Sequence, residues 1–234
     1  MTSSIGNIPV LDIRLFYSNP HHFVDQLCQA CHCVGFFLLR HDLPPALAER
    51  QLDVTRQFFE KPLSEKMKIS YETRASFRGY MKLGMENTAG RTDLREQVEY
   101  AVEYDTSRFL KEAASWPAYN RLRAQNPWPD DETETSFRRT TTDFASHVCR
   151  IAEILREALC LALGMEGNAL DCFFAEPHWA LKLVSYPHVA DESGTDSFGV
   201  GSHTDTNFLT MVLQDDVGGL QVFSQGNWID VTTE

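Results

Sequence analysis

Six apolar side chains, Phe137, Phe144, Val148, Ile151, Leu155 and Leu159, recur at steps of seven, four, three, four and four. Those steps return a side chain to one face of an α-helix, so the segment predicts a long amphipathic helix with a core-facing stripe. Gly164 stands where a left-handed residue would close that helix, and Asn126-Pro127-Trp128-Pro129-Asp130 reads as a stiff turn leading into it. Beyond residue 178 the period changes. The runs Leu181 to Tyr186, Phe198 to Ser202, Phe208 to Leu213, Leu220 to Phe223 and Trp228 to Val231 have strand character, and Gly218-Gly219 and Gln225-Gly226-Asn227 are turn signals between them. Helices first and strands afterwards predict an α+β fold, with helices packed around a β-sandwich or jelly roll.

The N-terminal half fits that plan. Ile8 to Ile13 alternates as a short first strand. Phe23, Leu27, Ala30/Cys31 and Val34 follow helical spacing over about residues 20 to 33, which puts Cys31 on the apolar face, and Val34 to Leu39 predicts a buried strand. Pro44-Pro45 opens a second helix with Leu47, Val54 and Phe58 on one face, and Pro62 closes it. Residues 64 to 92 are polar with scattered glycines and predict loop with a short helical turn. From Arg95 to Glu103 the chain alternates again, Gln97, Glu99 and Ala101 on one side and Val98, Tyr100 and Val102 on the other. The chain thus divides into residues 1–125, a helix-and-strand region, and 126–234, the long helix with the first part of the β core.

A length of 234 residues with 43% hydrophobic content suits one sizeable core. The net charge of −12 repels phosphate backbones and anionic lipid, which argues against nucleic acid and membrane partners. An acidic surface free of apolar patches is expected, and it favours a monomer. The first residues lack the basic and apolar regions of a secretory signal, so a cytoplasmic location is expected. Cys28, Cys31 and Cys33 are close in sequence, but Cys149, Cys160 and Cys172 offer no second ligand pair, so reduced structural cysteines are expected.

The chemistry-bearing candidate is His203-Thr204-Asp205. In extended backbone, residues two apart point the same way, so an imidazole and a carboxylate can grip one ion. They are two-thirds of the facial triad of two histidines and one carboxylate that holds non-haem iron(II) and leaves positions open. On its own the pair is weak evidence, since chance supplies roughly half such a match in a chain of this composition.

The surroundings decide. The run Gly199-Val200-Gly201-Ser202-His203-Thr204-Asp205-Thr206-Asn207-Phe208-Leu209-Thr210, continuing through Gly218-Gly219-Leu220-Gln221-Val222 to Trp228-Ile229-Asp230-Val231, resembles the metal-binding half of the isopenicillin N synthase-like iron(II)/2-oxoglutarate oxygenases. Ile8 to Ile13, Ala30-Cys31 with Gly35-Phe36-Phe37, Phe58-Phe59 with Pro62 to Lys66, Arg78-Gly79-Tyr80, and Leu181-Lys182-Leu183 with Tyr186-Pro187 resemble other stretches of that family. The resemblance implies a double-stranded β-helix with flanking N-terminal helices, and His203 and Asp205 as iron ligands. It also implies 2-oxoglutarate as co-substrate, with Tyr186 hydrogen-bonding its carboxylate, although an asparagine common two residues earlier is Val184 here. Gln97 and Glu99 align with a segment that lines the substrate pocket, which would suit a polar or cationic small molecule. The implied activity is O2-dependent oxidation of a small molecule (hydroxylation, desaturation or ring closure), with 2-oxoglutarate decarboxylated to succinate.

The family pattern also places a second histidine roughly fifty residues beyond the aspartate, and an Arg-x-Ser pair about ten further. Both positions fall past residue 234, so the expectation is a jelly roll without its closing strands, and a chain that binds iron poorly and turns over little by itself. Two other readings stay open: a non-catalytic binding or regulatory product of the same family, and a relative using iron and O2 without 2-oxoglutarate. Asp215 and Asp216, before Gly218-Gly219, read as turn residues rather than ligands.

Overall fold

The computed structural model describes residues 8–73, 76–104, 122–129, 134–188 and 199–232. The named elements are β1 (Val10–Asp12), α1 (Arg14–Ser18), α2 (Pro20–Cys33), β2 (Leu38–Arg40), α3 (Pro45–Phe59), α4 (Leu63–Lys66), β3 (Gly79–Met81), β4 (Asn87–Thr88), β5 (Arg91–Thr92), β6 (Glu96–Ala101), α5 (Glu134–Ala162), β7 (Ala180–Ser185), β8 (Gln221–Ser224) and β9 (Asn227–Asp230). They belong to two compact units, one of residues 1–48, 146–176 and 209–234, the other of residues 49–145 and 177–208. Both units draw on sequence from either side of residue 125.

In the first unit, β1 and β2 pair in parallel, Val10 opposite Leu38 and Asp12 opposite Arg40. The helix between them starts at Pro20, which has no N–H to leave unpaired, and the Asn19 side chain accepts the His22 N–H at 3.4 Å. Its buried stripe is Phe23, Leu27 and Ala30. Cys31 is exposed, a correction: one residue past Ala30, about 100° further round the helix, it leaves the stripe. The strand expected over Val34 to Leu39 is also corrected. Gly35 takes φ 79°, which interrupts extended backbone, and only Leu38 to Arg40 finds a partner, in a half-buried strand.

At the end of α5, Gly164 adopts φ 72° and donates to the Leu161 carbonyl at 3.0 Å, while Met165 donates to the Cys160 carbonyl at 2.9 Å. This is the double bond of a left-handed helix stop. The hairpin β8–β9 turns through Gln225 and Gly226, both at positive φ, and so its twist matches the strands it joins. In this unit Val212, Val217, Phe223 and Trp228 are exposed, the last two in ring contact at 5.2 Å.

The second unit carries an aromatic core of Val54, Phe58, Phe59, Ile69, Tyr80, Val98, Tyr100, Phe137 and Leu183. Its sheet has the order β3–β6–β7, antiparallel throughout, with Gln97 opposite Met81 and Val184, and Glu99 opposite Gly79 and Lys182. Val98 and Tyr100 therefore face the core while Gln97 and Glu99 point to the other side, as the alternation requires. Arg78, fully buried, donates to the carbonyls of Ala124 at 2.8 Å and Val102 at 2.9 Å and to Asn126 Oδ1 at 3.0 Å. The Asn126 amide in turn donates to Ala101 O and accepts the Ala101 N–H, at 2.7 and 3.0 Å, in the manner of a neighbouring strand. Asp130, in the turn read from sequence, lies outside the described residues.

The loop expected over residues 64 to 92 and the strands expected over Phe198 to Ser202 and Phe208 to Leu213 are corrected. Residues 64 to 92 hold the fully buried β3 and the hairpin β4–β5 as well as the helical turn. Residues 199–202 and 208–213 form no strand among the described residues; Phe198 lies outside the described residues. No helix among the described residues is long and apolar enough to cross a membrane.

Candidate metal centre

The hairpin β4–β5 is the platform beneath the site. Ala89 and Gly90 both take positive φ, and Asn87 Oδ1 accepts the Gly90 N–H at 2.9 Å, which fixes the two-residue turn. The segment bearing His203 crosses this hairpin at Gly201, where a Cβ would stand 2.9 Å from Thr88 Cγ2. Only a glycine passes so close without displacing its neighbour.

Gly201 also faces Asp93, a buried carboxylate just after β5. Asp93 Oδ1 accepts the Gly201 N–H at 3.4 Å, Oδ2 accepts the Thr88 hydroxyl at 2.9 Å, and Arg95 Nη2 lies 3.2 Å from Oδ2. Sequence reasoning passed over Asp93. The one available signal was a carboxylate within Arg91-Thr92-Asp93-Leu94-Arg95, which is equally ordinary in a solvated turn.

His203 Nδ1 is 2.9 Å from the Gly201 carbonyl. A carbonyl can only accept, so Nδ1 carries a proton, and in the neutral ring Nε2 has its lone pair for a ligand. That Nε2 sits 3.4 Å from Asp205 Oδ1, and both side chains are about half exposed. Bonds of about 2.0–2.2 Å from each to one ion span such a gap. A nitrogen and a carboxylate oxygen form the mixed donor set that iron(II) takes in a facial triad. The pair fits as two ligands of an open site. Among the described residues no third His, Cys, Asp or Glu joins them. Asp215 is a turn residue as expected, its carboxylate accepting the Val217 N–H at 3.0 Å.

Tyr186, just past β7, is 54% exposed and its ring lies against Gly199, where a Cβ would come within 2.5 Å of Cδ1. Gln97 is buried; its Nε2 donates to Met81 Sδ at 3.2 Å, and among the described residues no group bonds to its Oε1. Beside it, burial holds the Glu99 carboxyl above the usual range, against the opposing pull of Lys182, whose Nζ is 3.8 Å away. The sheet thus presents, on the face away from its core, an amide oxygen with no partner among the described residues and a carboxylate whose burial disfavours ionisation.

Residues 8–131 match the family described as non-haem dioxygenase in morphine synthesis, N-terminal, and residues 175–234 match the 2OG-Fe(II) oxygenase superfamily. The chain is 32% identical to homoarginine-6-hydroxylase 2-ODD-C23 of Glycine max, an alignment covering 98% of this chain and 72% of that protein. The chain belongs to the 2OG-Fe(II) oxygenase superfamily. Iron(II) and 2-oxoglutarate are the cofactors of this superfamily. A second oxygenase, homoarginine-6-hydroxylase 2-ODD-C23.2 of Arabidopsis thaliana, is 31% identical over 95% of the chain, which spans 63% of that protein. A full-length Neurospora crassa protein, solved in complex with alpha-KG, superposes with a TM-score of 0.82 at 24% identity, covering all of this chain and 72% of that one. A putative 2OG-Fe(II) oxygenase family protein from Caulobacter crescentus superposes with a TM-score of 0.78 at 22% identity, covering 98% of this chain and 71% of its own. These likenesses bear out the α+β, double-stranded β-helix expectation for the oxygenase fold, although the described strands form separate sheets rather than a closed barrel.

Proposed function

We propose that this chain is the scaffold and first metal-binding part of an iron(II)- and 2-oxoglutarate-dependent oxygenase acting on a polar or cationic small molecule. The observation that carries the reading is the His203–Asp205 pair, 3.4 Å apart, with the imidazole tautomer set by the Gly201 carbonyl. Bound iron(II) supplies the activation of O2, coupled to decarboxylation of 2-oxoglutarate to succinate. His203 offers Nε2 to the metal and holds its proton on Nδ1, and Asp205 supplies one negative oxygen. Tyr186 offers a phenol to a carboxylate of the co-substrate.

Gln97 and Glu99 are the substrate-recognising pair in this reading. The unfilled Oε1 of Gln97 can accept from a ligand N–H, and a cation beside Glu99 would restore its ionised form. The names of the soybean and Arabidopsis relatives point to homoarginine, whose guanidinium has this character. Whether the product is hydroxylated, desaturated or cyclised depends on the pose the pocket imposes.

The test uses the intact protein with iron(II), 2-oxoglutarate and a panel of neutral and cationic amino acids, following succinate formation. His203→Ala should abolish turnover; Glu99→Gln should shift preference away from cations while turnover of 2-oxoglutarate persists. Full activity in His203→Ala would overturn the metal assignment, and an unchanged preference in Glu99→Gln would overturn the substrate assignment alone.

A further inference from the structure

We infer that Asp93 is a positioning residue for the metal centre, acting through the backbone of Gly201 on the imidazole of His203. The inference rests on the metal reading above. A carboxylate that is only 2% exposed is costly to bury unless its lone pairs are used. Those of Asp93 are divided between two structures. Oδ2 takes the Thr88 hydroxyl and the Arg95 guanidinium, both from the hairpin region, and the Asp93 N–H is bonded to the Glu86 carbonyl at 2.9 Å. Oδ1 takes the N–H of Gly201, which lies 108 residues further along the chain. Asp93 is thus fastened to the hairpin on one side and holds the metal-bearing segment on the other.

The connection continues without a gap to the ligand. The peptide whose N–H is held by Asp93 belongs to the residue whose carbonyl is held by His203 Nδ1, at 2.9 Å. Gly201 is fixed at both its polar groups, and packed from below by Thr88 at a distance that excludes any side chain. With its N–H held by Asp93 and its Cα packed against Thr88, the Gly201 backbone is placed so that its carbonyl meets the imidazole. That carbonyl sets both the tautomer of His203 and the direction of its Nε2, and hence the approach of Nε2 to Asp205. Partners that orient a ligating histidine are commonly worth 10- to 100-fold in metal affinity. Here the orienting group is a backbone carbonyl, and Asp93 is what holds that carbonyl still.

The experiment titrates the intact protein with manganese(II), a redox-stable probe for the iron position, and compares each variant's dissociation constant with its metal-free melting temperature. Asp93→Ala should weaken manganese binding about 10- to 100-fold, and Asp93→Asn, which keeps an Oδ1 acceptor toward Gly201, should recover part of the loss. Gly201→Ala leaves Asp93 intact but drives a methyl against Thr88. It should weaken binding by a similar factor, and Thr88→Ser beside it should relieve the clash with Cγ2 and restore part of the affinity. If Asp93→Ala fails to fold, the Gly201→Ala and Gly201→Ala/Thr88→Ser pair still decides the matter. Folded variants of Asp93 and Gly201 that bind manganese as the wild type does, while His203→Ala does not, would overturn this inference and leave the metal reading standing. Wild-type binding in His203→Ala itself would overturn both.

Discussion

Tyr80 and Glu96 share a hydrogen bond inside the core of the second unit: the phenol donates to Oε2 at 2.5 Å, and Lys66 Nζ reaches the same oxygen at 2.7 Å. Lys66 also donates to the Phe59 carbonyl at 2.9 Å, tying α4 and the end of α3 to the sheet. Both ends of this ion pair are nearly buried. Removing one partner leaves the other charge without compensation, so Lys66→Met should cost about 3–5 kcal/mol. Tyr80→Phe, which removes one of the two donors to Glu96, should cost about 1–3 kcal/mol. Urea unfolding at neutral pH checks both, and a loss for Lys66→Met no larger than that for Tyr80→Phe would mean that the lysine is not the principal counter-charge.

Tyr100 gives the opposite expectation. Its ring stacks on Trp128 at 4.3 Å, but its hydroxyl is buried and no group among the described residues bonds to it. Tyr100→Phe keeps the stacking and should be neutral or stabilising by up to about 1 kcal/mol. Burial pushes the phenol above its ordinary value of 10.0, so the folded state holds this proton more tightly than the unfolded chain does. Stability is then lost as pH rises past about 10, and Tyr100→Phe should lessen that loss in alkaline unfolding curves.

Gly79 opens β3 with φ 122°, and a Cβ there would stand 2.3 Å from the Ile69 carbonyl. Gly79→Ala meets both a forbidden backbone region and a backbone clash, so a loss of about 2–5 kcal/mol is expected in the same assay. A melting temperature unchanged from wild type would show that the Ile69 turn is not pressed against the strand.

The pH dependence at Glu99 follows from its raised pKa. The folded state binds the proton more tightly, so the stabilisation associated with the protonated form is complete below the ordinary value of 4.5 and is lost as pH rises through the raised one. Glu99→Gln removes this slope: its stability relative to wild type should improve between pH 4.5 and neutrality. Parallel stability profiles for the two proteins over that range would contradict the assignment.

The long helix was legible because its steps repeat over more than twenty residues, and Phe137, Phe144, Ile151 and Leu155 are indeed buried, with Val148 and Leu159 half-buried. β3 was not. Three residues beginning with glycine carry no period, and what makes Gly79–Met81 a strand is the ladder with β6. The reverse error arose at Phe208 to Leu213, where a short apolar run is present but no strand pairing with a described residue forms. His203 and Asp205 stood out in the sequence through the family resemblance of the run from Gly199 to Thr210, since the two-residue spacing alone is weak evidence. Asp93 did not, since its partner Gly201 is joined to it only by the fold.

Paramagnetic line broadening locates the metal without recourse to turnover. In the isotope-labelled intact protein, substoichiometric manganese(II) should first erase the amide signals from Gly201 to Thr206, together with those of Thr88 and Asp93 across the hairpin. Broadening centred elsewhere, at Asp215 and Asp216 for instance, or spread evenly over the acidic surface, would contradict the assignment of His203 and Asp205 as the iron ligands.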